Sequence, residues 1–203
     1  MVFSAPIFLF GFLPIVILIY YLSPKALKNG LLLLASLVFY AWGEVFYVAI
    51  MLASIAINYL VGLLIARQQF ADKEKQGFLI LSLGVALNIA LLVSFKYANF
   101  IVDNLNVLLG AVKIPELFLA PVHLPLGISF FTFQAISYIV DVYRREALVQ
   151  RNIFDLALYI ALFPQLIAGP IVRYHDIASQ ILRRDHSFSL FASGAVSYTH
   201  LTL

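Results

Sequence analysis

Residues 126–143 (LGISFFTFQAISYIVDVY) form an apolar run that carries an amide and a carboxylate, and this combination narrows what the chain can fold into. At ~1.5 Å per residue such a helix crosses most of a ~30 Å hydrocarbon core. Gln134, Ser137, Tyr138, Asp141 and Arg145 fall at i, i+3, i+4, i+7 and i+11, along one side of a helix, with Ile136, Ile139, Val140 and Tyr143 largely opposite. Polar groups of this kind are costly against lipid, so the stripe is expected to face a bundle interior or a wet cavity. A plainer alternative stays open, in which Asp141 pairs with Arg144 or Arg145 at the interface and Gln134 bonds a neighbouring helix.

The rest of the chain supports a membrane setting. It is 63% hydrophobic and 11% charged, against roughly a quarter charged in soluble domains. The net charge of +3 lies in short basic clusters between apolar runs, a pattern of membrane orientation and not of nucleic-acid binding. With no cysteine, thiolate catalysis, disulfides and cysteine metal sites are excluded within these residues, and no metal site is expected. No cleavable signal is expected at the N-terminus, because no basic region precedes the first apolar run.

Segment 6–22 ends at Lys25 and Lys28, which places that loop inside and the N-terminus outside. Segments 31–42 and 45–66 then read as a hairpin turning at Gly43-Glu44, since Lys28 and Arg67 belong on one side. Segment 77–95 is a further span. Segment 99–112, with Asp103, Asn104 and Asn106, reads as an amphipathic helix on the outer surface, followed by a connection containing Pro115, Pro121 and Pro125. Of thirteen basic residues, this scheme leaves only Lys96 and Lys113 outside.

Segment 153–168 (IFDLALYIALFPQLIA) is flanked by Arg151 and Arg173, both wanted inside, and is interrupted by Pro164 and by Gly169-Pro170. It is expected to be re-entrant, with Pro164-Gln165 beside a cavity, because broken backbone at membrane depth must be buried in protein or face water. A proline-kinked spanning helix is the alternative. Residues 173–186 are expected to be cytoplasmic, with a short amphipathic helix around Ile177, Ile181 and Leu182. Four histidines, His123, His175, His186 and His200, are scattered and read as structural or incidental. Residues 195–203 change character and read as an atypical tail, truncated or misassembled, after a domain of residues 1–194. The expected fold class is all-α: a polytopic transmembrane helical bundle with a re-entrant segment.

Three stretches, FKYANFIVDNLN (95–106), LPLGISFFTFQAISYIVDVYR (124–144) and LFPQLIAGPIVRY (162–174), resemble the membrane-bound O-acyltransferase superfamily in its bacterial alginate O-acetyltransferase branch. The resemblance runs through about Gly194, over an N-terminal portion of the family's pattern. It implies a buried pore through which an acyl group, acetyl in this branch, passes toward hydroxyls of an extracytoplasmic polysaccharide such as alginate. A secreted acetyltransferase partner is allowed for at the final transfer. The implied location is the bacterial inner membrane, among membrane lipids, with no nucleic acid, no bound cofactor and an acyl donor the residues do not specify. The family's catalytic histidine lies in a W-R-R-W-H type motif. Here the only tryptophan is Trp42, so no histidine present inherits that role, and the chain alone is expected to be inactive. The candidate cavity residues are Gln134, Ser137, Tyr138, Asp141, Arg144, Pro164, Gln165 and Arg173. D-alanyl transfer to teichoic acid and a transporter or channel are the alternatives.

Overall fold

The structure, a computed structural model, describes residues 5–111, 114–168, 172–182, 184 and 187–202. All regular elements among them are helices. A π-helical turn (Phe8–Phe12) leads into α1 (Leu13–Leu22), whose second residue, Pro14, lacks an N–H for the preceding turn. The expected hairpin is α2 (Lys28–Glu44) and α3 (Tyr47–Phe70), with its turn at 45–46, directly after Gly43-Glu44. α4 (Glu74–Lys96) folds back along α3. Three stretches, Lys25–Glu44, Tyr47–Phe70 and Glu74–Lys96, are long and apolar enough to cross a membrane.

α3 and α4 are joined by reciprocal hydrogen bonds between two buried amides, Asn58 Nδ2 to Asn88 Oδ1 (3.1 Å) and Asn88 Nδ2 to Asn58 Oδ1 (2.8 Å). Asn58 Nδ2 also donates to the Ser54 carbonyl, and Asn88 Nδ2 to that of Gly84. Such pairs hold helices together where water is scarce. The buried residues of α4 are Gly77, Gly84 and Asn88, with Ile80, Leu81, Val85, Leu91, Leu92 and Phe95 half-buried against the core, so small residues mark its closest approach.

α5 (Ala98–Ala111) has no buried residue. Its asparagines grip the proline-containing connection. Asn106 exchanges two bonds with the Leu117 backbone (2.8 and 3.0 Å), and Asn99 Oδ1 accepts from Val122 N–H (2.9 Å). Lys113 lies outside the described residues. At the end of the connection, Glu44 from the α2 terminus meets His123 Nε2 at 3.2 Å and accepts from Leu126 N–H at 3.3 Å.

α6 (Ile128–Tyr143) is the central helix, packed against α3, α4, α7 (Ile153–Ala161), α8 (Phe163–Ala168) and α9 (Tyr174–Leu182). Its 16 residues reach only ~24 Å. Enclosure reaches the other side of the helix too: Ile139, assigned to the face opposite the polar stripe, is also fully buried. A Cβ on Gly84 would stand 3.2 Å from Ile139 Cδ1, which shows how closely α4 covers that side.

Gly127 caps the start of α6 with φ +73°. A Cβ there would lie 3.1 Å from the Leu166 carbonyl oxygen and 3.2 Å from Leu166 Cγ. Gly127→Ala is expected to destabilise the protein by about 1–3 kcal/mol, through left-handed strain and this close approach. Thermal unfolding in detergent measures the effect, and an unchanged midpoint would mean that α8 gives way freely.

The helix over 153–168 is broken, at Leu162 (ψ 114°), two residues before Pro164. Pro164 has no N–H for the Ile160 carbonyl and its ring would crowd that oxygen, so the chain restarts as α8 with Pro164 in its first turn. The break is held from outside. Ser36 Oγ accepts from Phe163 N–H (3.2 Å), and the Phe163 ring joins Phe8, Phe12 and Phe39 at centroid distances of 5.4–6.1 Å. α7 is buried from Asp155 through Ala161. Gly169-Pro170 and His186 lie outside the described residues. α10 (Phe188–Thr202) runs through Gly194 into the stretch read as a tail.

Candidate functional site

The polar stripe of α6 divides into two halves with different surroundings. Toward its C-terminal end, Asp141 is 3% exposed and its Oδ2 accepts from His175 N–H (3.1 Å), lies 3.3 Å from His175 Nδ1 and takes a longer bond from Ser137 Oγ (3.4 Å). Ser137 Oγ accepts from Tyr174 N–H (3.3 Å). Tyr174 and His175 open α9, and their amides have no partner within that helix. A serine and a carboxylate from α6 thus cap α9 across the fold, and the charge complements the positive end of its dipole.

This arrangement corrects the expected pairing of Asp141 with Arg144 or Arg145. Both arginines are exposed, and Asp141 instead meets His175, whose Nε2 lies 3.0 Å from Asp176 Oδ1. α6 has ended before the arginines: Arg145 takes φ +61° and Glu146 N–H returns to the Asp141 carbonyl (3.0 Å). That turn carries the guanidinium groups away from the stripe.

Three buried tyrosines lie behind the cap. Tyr174 meets the Tyr138 ring edge-on at 4.9 Å and the Tyr159 ring at 5.2 Å, and Tyr159 Oη donates to the Val172 carbonyl (2.9 Å). Burial first, and the Asp155 carboxylate second, push the Tyr174 phenol up to about 12. It remains neutral at physiological pH.

Along α6 and on the helices beside it, other polar atoms are buried without partners. Gln134 Oε1, Thr132 Oγ1 and Tyr138 Oη of α6, Tyr40 Oη from α2 and Gln165 Nε2 from α8 have no hydrogen-bond partner among the described residues. Buried polar atoms of native proteins are nearly always satisfied, so these unpaired atoms stand out within the bundle. Gln134 and Gln165 are not bonded to each other. Pro164, beside Gln165, is exposed, as is Arg173.

Several residues escaped the sequence analysis. Asp155, passed over in an apolar run, is 7% exposed, and its carboxylate accepts from Asn29 Nδ2 (2.8 Å) and Asn152 Nδ2 (3.0 Å). Asn29 also donates to the Ile181 carbonyl (3.0 Å), which ties α2, α7 and α9 together. A lone carboxylate in an apolar helix was the available signal. Asp141, Glu146 and His175 each bring a ligand-type atom within 4.8 Å of the others. The hydrogen bonds that Asp141 already accepts explain this cluster as a helix cap.

Comparison with known proteins bears out the resemblance carried by the three motifs. The chain is 43% identical over 198 residues to the probable alginate O-acetylase of Pseudomonas syringae pv. tomato, an alignment covering 98% of this chain and 38% of that protein. The corresponding protein of Pseudomonas aeruginosa is 42% identical, again with 98% and 38% covered. The peptidoglycan O-acetyltransferase of Helicobacter pylori is 35% identical over 217 residues, covering 93% of this chain and 40% of the relative. The chain therefore spans about two fifths of the length of the curated relatives it matches. No family model matches it, and no solved structure does.

Proposed function

We infer that this chain works in a membrane-bound O-acyltransferase of the alginate O-acetylase branch, a multi-pass protein of the bacterial plasma membrane that passes acetyl groups toward hydroxyls of an extracytoplasmic polysaccharide. The observation that carries this reading is the 42–43% identity, over 98% of the chain, to proteins named for alginate O-acetylation. In such a transfer the acceptor oxygen bonds the acyl carbon, the donor's leaving group departs, and a general base takes the hydroxyl proton. The family resemblance assigns that base to a histidine in a W-R-R-W-H type motif, which these 203 residues do not contain. The residues here would supply walls and orientation. Gln134 Oε1 is an acceptor suited to a hydroxyl, and Gln165 Nε2 a donor suited to an acyl carbonyl. The unsatisfied burial of both supports one shared cavity between α6 and the α7–α8 break. Asp141 and Ser137 act at a distance from it, holding α9 closed beneath the bundle.

The Helicobacter relative favours a second acceptor within the same class, peptidoglycan. In a strain that makes alginate but lacks its own acetylase, the gene carrying this segment is expected to restore ester-linked acetate on exported alginate. Gln134→Leu is expected to lower that acetate about tenfold, for one buried hydrogen bond of ~1.4 kcal/mol. Phe133→Leu, at a 46% exposed neighbour on the same helix, should stay near the parental value at equal membrane abundance. Acetate on peptidoglycan alone would transfer the activity to the second acceptor. Acetate on neither polymer would defeat the acyltransferase reading.

A further inference from the structure

We propose that the basic ends of α3, α4 and α6 form a binding site for one anionic phospholipid, its phosphate in a cationic cleft and its acyl chain along an adjoining apolar groove. The cleft, of about 210 Å³, is lined by Lys73, Arg144 and Arg145 against a single carboxylate, Glu74, with Gln69 and Tyr143 completing its wall. Among the described residues none of these three cations has an ion-pair partner. Three cations converging on one concavity repel one another unless an anion joins them, and a phosphodiester supplies the charge and the acceptor oxygens.

A second groove, of about 260 Å³, continues from the first and shares Gln69 and Arg145 with it. Its remaining lining is apolar and includes Phe70 and Leu148, which are 86% and 90% exposed. Charge beside exposed hydrocarbon is the complement of an amphiphile, whereas a free phosphate would use only the first cleft. Both grooves lie where α6 and α3, a helix long and apolar enough to cross a membrane, end.

The backbone keeps the shared wall in place. Gln69 Nε2 donates to the carbonyls of Val142 (3.1 Å) and Tyr143 (2.8 Å), so the end of α3 caps the end of α6. Arg145 sits at φ +61°, the helix-ending position that glycine occupies at least cost. An arginine held there gives the position a side chain that both grooves use.

The test is native mass spectrometry of the delipidated protein in non-ionic detergent, titrated separately with dioleoyl phosphatidylglycerol, dioleoyl phosphatidylethanolamine and inorganic phosphate. Phosphatidylglycerol is expected to form a single tight adduct. Arg145→Gly should weaken it about fivefold and the Arg145→Gly/Lys73→Gln pair about thirtyfold, following the ~1 kcal/mol that each basic side chain contributes near an anionic surface. Because glycine accepts the left-handed backbone, the Arg145→Gly protein should melt no lower than the parent. Equal phosphatidylglycerol binding by the double variant, or equal binding of phosphatidylethanolamine by the parent, would overturn the site. Displacement of the lipid by inorganic phosphate at the same concentration would reduce it to a simple anion pocket and overturn the lipid assignment.

Discussion

Asp141→Ala is expected to release α9 from the bundle while leaving α3 and α4 paired. The carboxylate is buried, accepts from the His175 backbone N–H and lies 3.3 Å from the His175 ring Nδ1, so its removal strands a donor at the start of a nine-residue helix. Hydrogen bonds to a charged acceptor are worth about 1.5–3 kcal/mol each, and a stranded buried donor adds its own desolvation cost. A loss of about 2–4 kcal/mol follows, most of it local to α9. Asp141→Asn keeps one carbonyl oxygen for the His175 amide and should lose less. Hydrogen exchange reads the difference directly: amides of residues 174–182 should lose protection in the alanine variant, and those of the Asn58–Asn88 helix pair should not. Unchanged protection of α9 would show that the tyrosine cluster and the Asn29–Ile181 bond hold it without Asp141. In acetyl transfer the variant should fail through this loosening, so His175→Gln, which spares the backbone donor, should retain more activity than Asp141→Ala.

Gly62→Ala has the next largest expected effect. A Cβ at Gly62 would fall onto the Tyr138 hydroxyl and stand 2.7 Å from Tyr138 Cε1 and Cζ. The ring is confined, because Tyr138 is fully buried and Tyr174 meets it edge-on. The added methyl must part α3 from α6, or push the tyrosines onto α9, at about 1–3 kcal/mol. Withdrawing the ring should relieve the clash. Tyr138→Leu is destabilising alone, yet in the Gly62→Ala background it should cost markedly less, and a double-mutant cycle of unfolding midpoints measures that coupling. Additive effects would mean that Gly62 and Tyr138 do not share the space between these helices.

Much of this architecture was legible because it depends on local chemistry. Apolar runs bounded by basic clusters located α2, α3 and α4, and Gly43-Glu44 located the turn between α2 and α3 to within two residues. Pro164 announced a break, although the chain parts at Leu162, since proline disturbs the turn before it more than its own position. The spacing of Gln134, Tyr138 and Asp141 announced a side that must be buried, and all three are.

What a helical period cannot convey is what stands opposite each direction. The stripe pointed inward, but so does Ile139, because helices enclose α6 on more than one side. Asp141 looked to the arginines three and four residues away, as sequence proximity suggests, and found His175, 34 residues on. The Asn58–Asn88 and Asn29–Asp155 bonds span 30 and 126 residues. By itself the sequence determined element type, membrane character and which side chains had to leave lipid, because transfer cost and periodicity belong to each segment separately. Only the tertiary structure decided the partners, since a buried polar atom bonds whatever the packing of distant helices brings within about 3 Å of it.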